Sequence, residues 1–353
     1  MGYRYIGSKE KLANSIINII LQEVPAAKSV IDLMAGTGNM SYALRKRGFK
    51  VKASDVMTYS YHHLIVNLLV NKPPFFNGLV GIIDSLSINR DDNYSKVLSF
   101  LNDANGIKGY FYKEFSPEGS PANASKPRMY YTSNNAQKID AIRDIIIDWN
   151  KNGYLSEIEH SLLLHNLIID SNDIANIAGT YGHYLSHFVQ RSYSPLILKE
   201  WTFDNDSSIT GHEVRRGYAE DLASVLSGDV CYIDPPYIKR QYAANYHILE
   251  TIAREDFPEA IGESGLRPWR DQYSNFCSKI KIRDSFSKII ETVQSNHIFI
   301  SYSEDGLLTL DQLTDFLSKF GTVKIHKIEY KRFKSNNSKK SPNIIEYLIY
   351  LHK

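Results

Sequence analysis

Apolar and polar positions alternate in two different ways along this chain, and the change between them is the first structural signal. Near the start, Leu12, Ile16, Ile19 and Ile20 recur at helical spacing and predict a helix over residues 11–21, with Ser8 as its N-cap and Gly7 as the turn before it. The run from Ser29 to Met34 predicts a short buried strand, followed by Gly36 and Gly38 and a helix ending near Arg47. Residues 50–55 predict a second strand and 58–71 a further helix. This strand, helix, strand rhythm then stops. Residues 72–206 carry two predicted helices, 137–150 and 156–169, among polar loops such as 119–127. It resumes with a strand at 213–218, a short helix, an apolar strand at 230–233 and a helix ending near Arg254. A helix at 285–293, a strand at 298–302, a helix at 310–320 and two closing strands, 323–333 and 344–351, complete the chain.

These elements imply an α/β fold. The expected architecture is a doubly wound, mostly parallel sheet with an antiparallel strand in the final hairpin and a largely helical insertion. The expected division is residues 1–71 and 207–353 as a catalytic domain and 72–206 as an insertion that reads the substrate.

Composition narrows the class without naming a function. At 353 residues there is room for one large domain or two ordinary ones, and a net charge of +2 does not announce a nucleic acid by itself. No apolar run approaches a membrane span, and the polar opening Gly2, Tyr3, Arg4 predicts no signal peptide, so the expected location is the cytoplasm. Two cysteines, Cys231 and Cys277, make neither a disulfide framework nor a four-ligand metal site, and the histidines show no zinc spacing, so no metal is expected. Tyrosine is abundant at 24 residues, and such rings are what stack on bases.

The candidate chemistry gathers at strand ends. Asp234, Pro235, Pro236 and Tyr237 follow the strand at 230–233, so two prolines stiffen a loop that presents a carboxylate, a carbonyl and a flat ring. Acceptors beside a stacking face suit a planar amine. A proline-terminated strand with a surface Asp and Tyr is the plainer reading, and on these residues alone both stay open. Strand, Ala35, Gly36, Thr37, Gly38, helix is the opening of a nucleotide-binding unit, although Ser41 stands where a dinucleotide fingerprint has its third glycine. Asp55 lies 19 positions after Gly36 (55 − 36), where an acid binds a ribose hydroxyl in such units. Tyr5 and Lys9 sit at a helix entrance, a place to hold an anion or simply a capped turn. In the middle segment Tyr181, His183, Tyr184 and Arg191 interleave rings with basic donors, and Lys239, Arg240, Lys339 and Lys340 add charge in later loops. Phosphate contacts are one use for these; an exposed polar face is the other.

With these motifs in order, the sequence resembles the Dam-like class of adenine-specific DNA methyltransferases, which use S-adenosylmethionine. The likeness runs nearly end to end and is strongest at Tyr5 to Lys9, Asp32 to Gly38 and Asp234 to Tyr237. It implies that Tyr5 and Lys9 help form the methyl-donor pocket, and that Asp32, Ala35, Gly36 and Gly38 hold its methionine part. By the same likeness Asp55 takes the ribose, and Asp221 lies near the donor's adenine. Asp234 to Tyr237 is then the catalytic tetrapeptide, and the middle segment reads double-stranded DNA. The resemblance also implies restriction–modification, with a cognate endonuclease as partner. One departure is Met34, where the family commonly carries an aromatic residue. The rival substrates are adenine in RNA and a glutamine amide in protein; Asp234, where glutamine methyltransferases have Asn, argues against the latter.

Overall fold

The computed structural model describes residues 5–7, 9–204, 210–331 and 343–353. The chain divides into two compact units, one made of Ser8–Val56, Ser208–Gln241 and Tyr273–Lys353, the other of Met1–Gly7, Met57–Ser207 and Tyr242–Gln272.

The first unit is built on a seven-stranded sheet whose order is β3-β2-β1-β4-β5-β7-β6. Its strands are β1 (Ser29–Asp32), β2 (Lys50–Asp55), β3 (Glu213–Arg216), β4 (Val230–Ile233), β5 (His297–Ser303), β6 (Thr322–Lys331) and β7 (Asn343–His352). β1 to β5 pair in parallel, whereas β7 runs antiparallel to both β5 and β6. The sheet is the expected doubly wound, mostly parallel one with an antiparallel hairpin at its end. All four side chains of β4, Val230 to Ile233, are buried, which is why that strand reads as an unbroken apolar run.

Strand order puts helices on both faces. The step from β1 to β2 runs one way along the sheet, and the steps from β3 to β4 and β4 to β5 run the other way. Right-handed crossovers therefore place their helices on opposite sides. On one side Ile31, Cys231, Ile233, Ile298, Ile300, Ile349 and Leu351 meet Ala219 and Ala223, the Ile282–Thr292 helix and the Leu310–Leu317 helix in one core. The Ile282–Thr292 helix buries Ile282, Ser285, Phe286, Ile289 and Ile290, a stripe at spacings of three and four. That stripe carries its start three residues ahead of the expected 285. The Leu310–Leu317 helix opens with a capping box of Thr309 and Gln312.

At the start of the chain the helix is Ala13–Glu23, with Leu12 at its N-cap and no side-chain cap; the expected cap, Ser8, lies outside the described residues. Lys9 therefore stands in the turn before the helix, where its carbonyl accepts from the Leu12 N–H at 2.9 Å.

The second unit is largely helical. It holds the Thr58–Leu69, Asn93–Asp103, Ser133–Lys151, Glu157–Asp173 and His247–Arg254 helices. The expected insertion at 72–206 falls within it, together with the helix after β2 and the segment that follows the motif loop. Ser156 and Glu159 form a capping box at the start of the Glu157–Asp173 helix, and Thr132 caps Ser133–Lys151 through the Asn135 N–H. Glu250, fully buried, caps another helix from outside. Its carboxylate accepts from the N–H of Thr58 at 2.9 Å and of Tyr59 at 3.2 Å, and from Arg254 and Gln272 at 2.8 and 2.7 Å. No helix among the described residues is long and apolar enough to cross a membrane.

Candidate active site

The sheet changes direction of winding between β1 and β4, where Val30, Ile31 and Asp32 lie beside Val230, Cys231 and Tyr232. Ligands of doubly wound folds bind beyond the carboxyl ends of strands at such a point. Asp32 ends β1, and Asp234 follows β4 by one residue. The topology thus brings together two of the predicted acids that are 202 positions apart (234 − 32).

Lys9 joins them. Its ammonium is 3.0 Å from Asp234 Oδ1 and 2.8 Å from Glu346 Oε1, and it lies 5.2 Å from the centre of the Tyr237 ring. Lys9 is 5% exposed and Glu346 1%. Burial works against the charge on Lys9, but Asp234, Tyr237 and Glu346 outweigh it and hold the ammonium firmly protonated. Burial pushes the Asp234 carboxyl up from the usual range, and Lys9 pulls it back. The Glu346 carboxyl is raised to about 7, by burial first and by the Asp234 charge in addition, against the pull of Lys9. Glu346 was not anticipated from the sequence, although a lone acid inside the apolar run of β7 was a signal for it.

Asp32 is fully buried. One of its oxygens, Oδ2, accepts from the Ser41 hydroxyl at 2.6 Å, while Oδ1 has no hydrogen-bond partner among the described residues. Its carboxyl is raised to about 7, chiefly by burial, with Asp234 and Asp55 adding to the rise and Ser41 opposing it. Ser41, noted in the sequence only as a missing glycine, is thus the residue that aims Asp32. Gly36 and Gly38 have φ of 54° and 78°, a left-handed backbone suited to glycine, and Gly38 leads directly into the Asn39–Lys46 helix. The Gly36 N–H donates to Asp55 Oδ2 at 2.8 Å, and the Ala35 N–H donates to the Ser54 carbonyl at 3.0 Å. The glycine turn and the acid of β2 are therefore tied into one rim. A buried carboxylate oxygen without a partner beside this rim fits the ammonium group of an amino-acid-bearing methyl donor.

The motif loop is held from below. Tyr237 accepts at its carbonyl from the Leu307 N–H at 2.9 Å, and its ring stands edge-on to Tyr302, centroids 5.9 Å apart. Gly306 permits this: a Cβ there would lie 2.3 Å from Tyr302 Cε1. Pro235 is buried and Pro236 half-buried, while Lys239 and Arg240 are exposed. Asp221 sits in the short helix Ala219–Leu222, 66% exposed and 2.6 Å from Lys288, beside an open cleft of about 570 Å³ that Tyr218, Tyr273 and Asn275 also line.

In the helical unit the predicted groups part company. Tyr5 stacks on Tyr246 at 4.7 Å, with Tyr242 at 5.3 Å, and the Ile6 N–H donates to the Tyr246 hydroxyl at 2.8 Å. Residues 242–245 form a short helix, Tyr242–Asn245. Tyr181, expected to stack on bases, is fully buried. Its hydroxyl donates to Asn172 Oδ1 at 2.9 Å, and its carbonyl accepts from the Tyr130 hydroxyl at 2.6 Å. Arg191, expected at a phosphate, donates to the Ala175 and Ile177 carbonyls. Both side chains are committed to shaping the 175–191 segment. His183 is exposed and Tyr184 half-buried, beside a cleft of about 620 Å³ lined also by Lys126, Met129 and Glu263. Lys339 and Lys340 lie outside the described residues. No group of three or more potential metal ligands occurs among the described residues.

Comparison with known proteins gives a consistent result. Type II methyltransferase M.FokI of Planomicrobium okeanokoites is 34% identical over 99% of this chain and 52% of its own length. Modification methylase StsI of Streptococcus sanguinis is 33% identical over 99% of this chain and again 52% of its own. The chain therefore spans about half the length of these two relatives. Against type II methyltransferase M.NlaIII of Neisseria lactamica, identity is 31% and coverage is 99% of both chains. Residues 5–316 match one family throughout, and on that match the chain belongs to the D12 class N6 adenine-specific DNA methyltransferases.

Proposed function

We propose that this chain transfers the methyl group of S-adenosylmethionine to the exocyclic amine of an adenine within one short sequence of double-stranded DNA. The observation that carries this reading is the placing of Asp234 beside Asp32 at the winding switch, with Lys9 holding Asp234 at 3.0 Å. S-Adenosylmethionine supplies a methyl group on a positively charged sulfur. Asp32, through its unpartnered Oδ1, takes the donor's ammonium, the Gly36–Gly38 backbone lies along its carboxylate, and Asp55 takes a ribose hydroxyl. Asp221, beside its open cleft, takes the edge of the donor's adenine, and Lys9 completes the pocket.

An adenine amine is a weak nucleophile because its lone pair is spread into the ring. Asp234 and the Pro235 carbonyl accept its two hydrogens, so the nitrogen can pyramidalise and aim its lone pair. Asp234 then receives the proton that the amine loses. Extruding the base from the duplex costs a few kcal/mol, and stacking on Tyr237 offsets part of it. Exposed His183 and half-buried Tyr184 contact the DNA from the helical unit, and Lys239 and Arg240 meet phosphates. Relatives named type II methyltransferases support a role beside a cognate restriction endonuclease whose cleavage the methyl group blocks.

Asp234→Ala tests the catalytic assignment. Lys9 keeps Glu346 as a partner at 2.8 Å, so the fold survives the change. Transfer is expected to disappear while donor binding stays within a few-fold of the wild type. An alanine variant that still methylates removes Asp234 from the chemistry.

A further inference from the structure

Glu346 is a buried carboxylate that the scheme above leaves unused. It lies on β7 opposite Ser303 of β5 and Ile328 of β6, neither of which bears a charge. Its charged neighbours are Lys9, 2.8 Å away, and Asp234, which shares that lysine. Its Oε2 has no hydrogen-bond partner among the described residues. A carboxylate buried in this way lowers stability unless something else requires it, and an aliphatic residue would suit the strand better. The lysine explains the requirement. If Lys9 served Asp234 alone, a full positive charge at 3.0 Å would depress the proton affinity of Asp234 and weaken it as an acceptor.

We propose that Glu346 is a positioning residue for methyl transfer: by sharing the Lys9 ammonium it keeps Asp234 anchored and yet basic enough to take the proton of the substrate amine. As the nitrogen–methyl bond forms, the methyl–sulfur bond breaks with its electron pair left on sulfur, and the nitrogen gives one proton to Asp234. Glu346 undergoes no covalent change. Its carboxyl is raised to about 7, so it supplies this charge increasingly as pH rises through that value, and withdraws it as pH falls. The inference rests on the function proposed above.

The test compares wild type with Glu346→Gln. With S-adenosylmethionine and DNA saturating, kcat of the variant is expected to fall about three- to tenfold at pH 8, the effect of about one unit of proton affinity at Asp234 with the proton partly to fully transferred, and to lose its rise near pH 7. KM for both substrates is expected to stay within about twofold. In the free protein, carboxyl-carbon NMR of Asp234 is expected to titrate about one unit lower in the variant. Glu346→Asp, which keeps the charge, is expected to retain the rise; if the Gln variant does not fold, an Asp variant without the rise overturns the proposal. An Asp234 titration and a kcat profile unchanged in Glu346→Gln also overturn it. Failure of the wild type itself to methylate any DNA removes the functional reading instead, and this inference with it.

Discussion

If Asp32 takes the donor's ammonium, as proposed above, donor binding depends on pH in a direction fixed by the surroundings of its carboxyl. In the free protein its pKa is raised to about 7, because burial disfavours the charged form and Ser41 recovers only part of the loss. Capture of the donor's ammonium requires the ionised form, which appears only as pH rises through that value. A carboxyl titrating there is ionised about 9% of the time at pH 6 and about 91% at pH 8, so affinity should rise about tenfold across the interval. Isothermal titration with S-adenosylmethionine, repeated in buffers of different ionisation enthalpy, reads both the affinity and the proton released, about half a proton per site at pH 7. The demethylated product, which keeps the ammonium and lacks the sulfonium, should show the same dependence. Asp32→Asn removes a charge-assisted bond of about 1.5–3 kcal/mol and should abolish the pH dependence along with that affinity. Ser41→Ala should move the midpoint upward. An affinity flat from pH 6 to pH 8 in the wild type refutes the assignment of the ammonium to Asp32.

Other expectations concern the substrate and the frame. Tyr237→Ala should weaken productive capture of the extruded base by about 1–3 kcal/mol, seen as a higher KM for duplex DNA, and should have less effect on DNA in which the target adenine is already mispaired. Gly306→Ala drives a methyl group into the Tyr302 ring that supports Tyr237; a loss of about 1–3 kcal/mol in denaturant unfolding, together with reduced turnover, is expected. Glu250→Ala removes the acceptor of the Thr58 and Tyr59 N–H groups, while Arg254 keeps Asp271 at 2.7 Å, so unfolding should show a loss of about 1–3 kcal/mol.

Much of the sheet-bearing unit was legible because its signals are local. An apolar run such as Val230 to Ile233 is a strand wherever it lies, and a glycine turn leading from a strand into a helix has few other uses. Sequence position alone put Asp32 inside a strand running on to Met34 and Asp234 just after another; the structure ends β1 at Asp32, and that the two strands are neighbours depends on winding order, which no local pattern records. The pairing of Lys9 with Glu346 was hidden for the same reason, since the partners are 337 positions apart (346 − 9) and meet only through the sheet. Ser41 was read by its mismatch to a fingerprint when its hydroxyl was the informative part. The helical unit was the least legible. Tyr181 and Arg191 have the composition of a nucleic-acid surface, yet the Tyr181 ring is buried with its hydroxyl on Asn172, and Arg191 donates to carbonyls of the irregular 175–191 backbone, which needs such donors. Inside a fold, Tyr and Arg side chains make such bonds as readily as they contact DNA.

The most direct measurement is transfer of labelled methyl from S-adenosylmethionine to unmethylated plasmid DNA, followed by nucleoside analysis and mapping of the modified sites. The account predicts N6-methyladenine confined to one short sequence, and none with Asp234→Ala. Label in cytosine, in RNA or in protein, or no transfer to DNA by a wild-type protein that binds the donor, contradicts it.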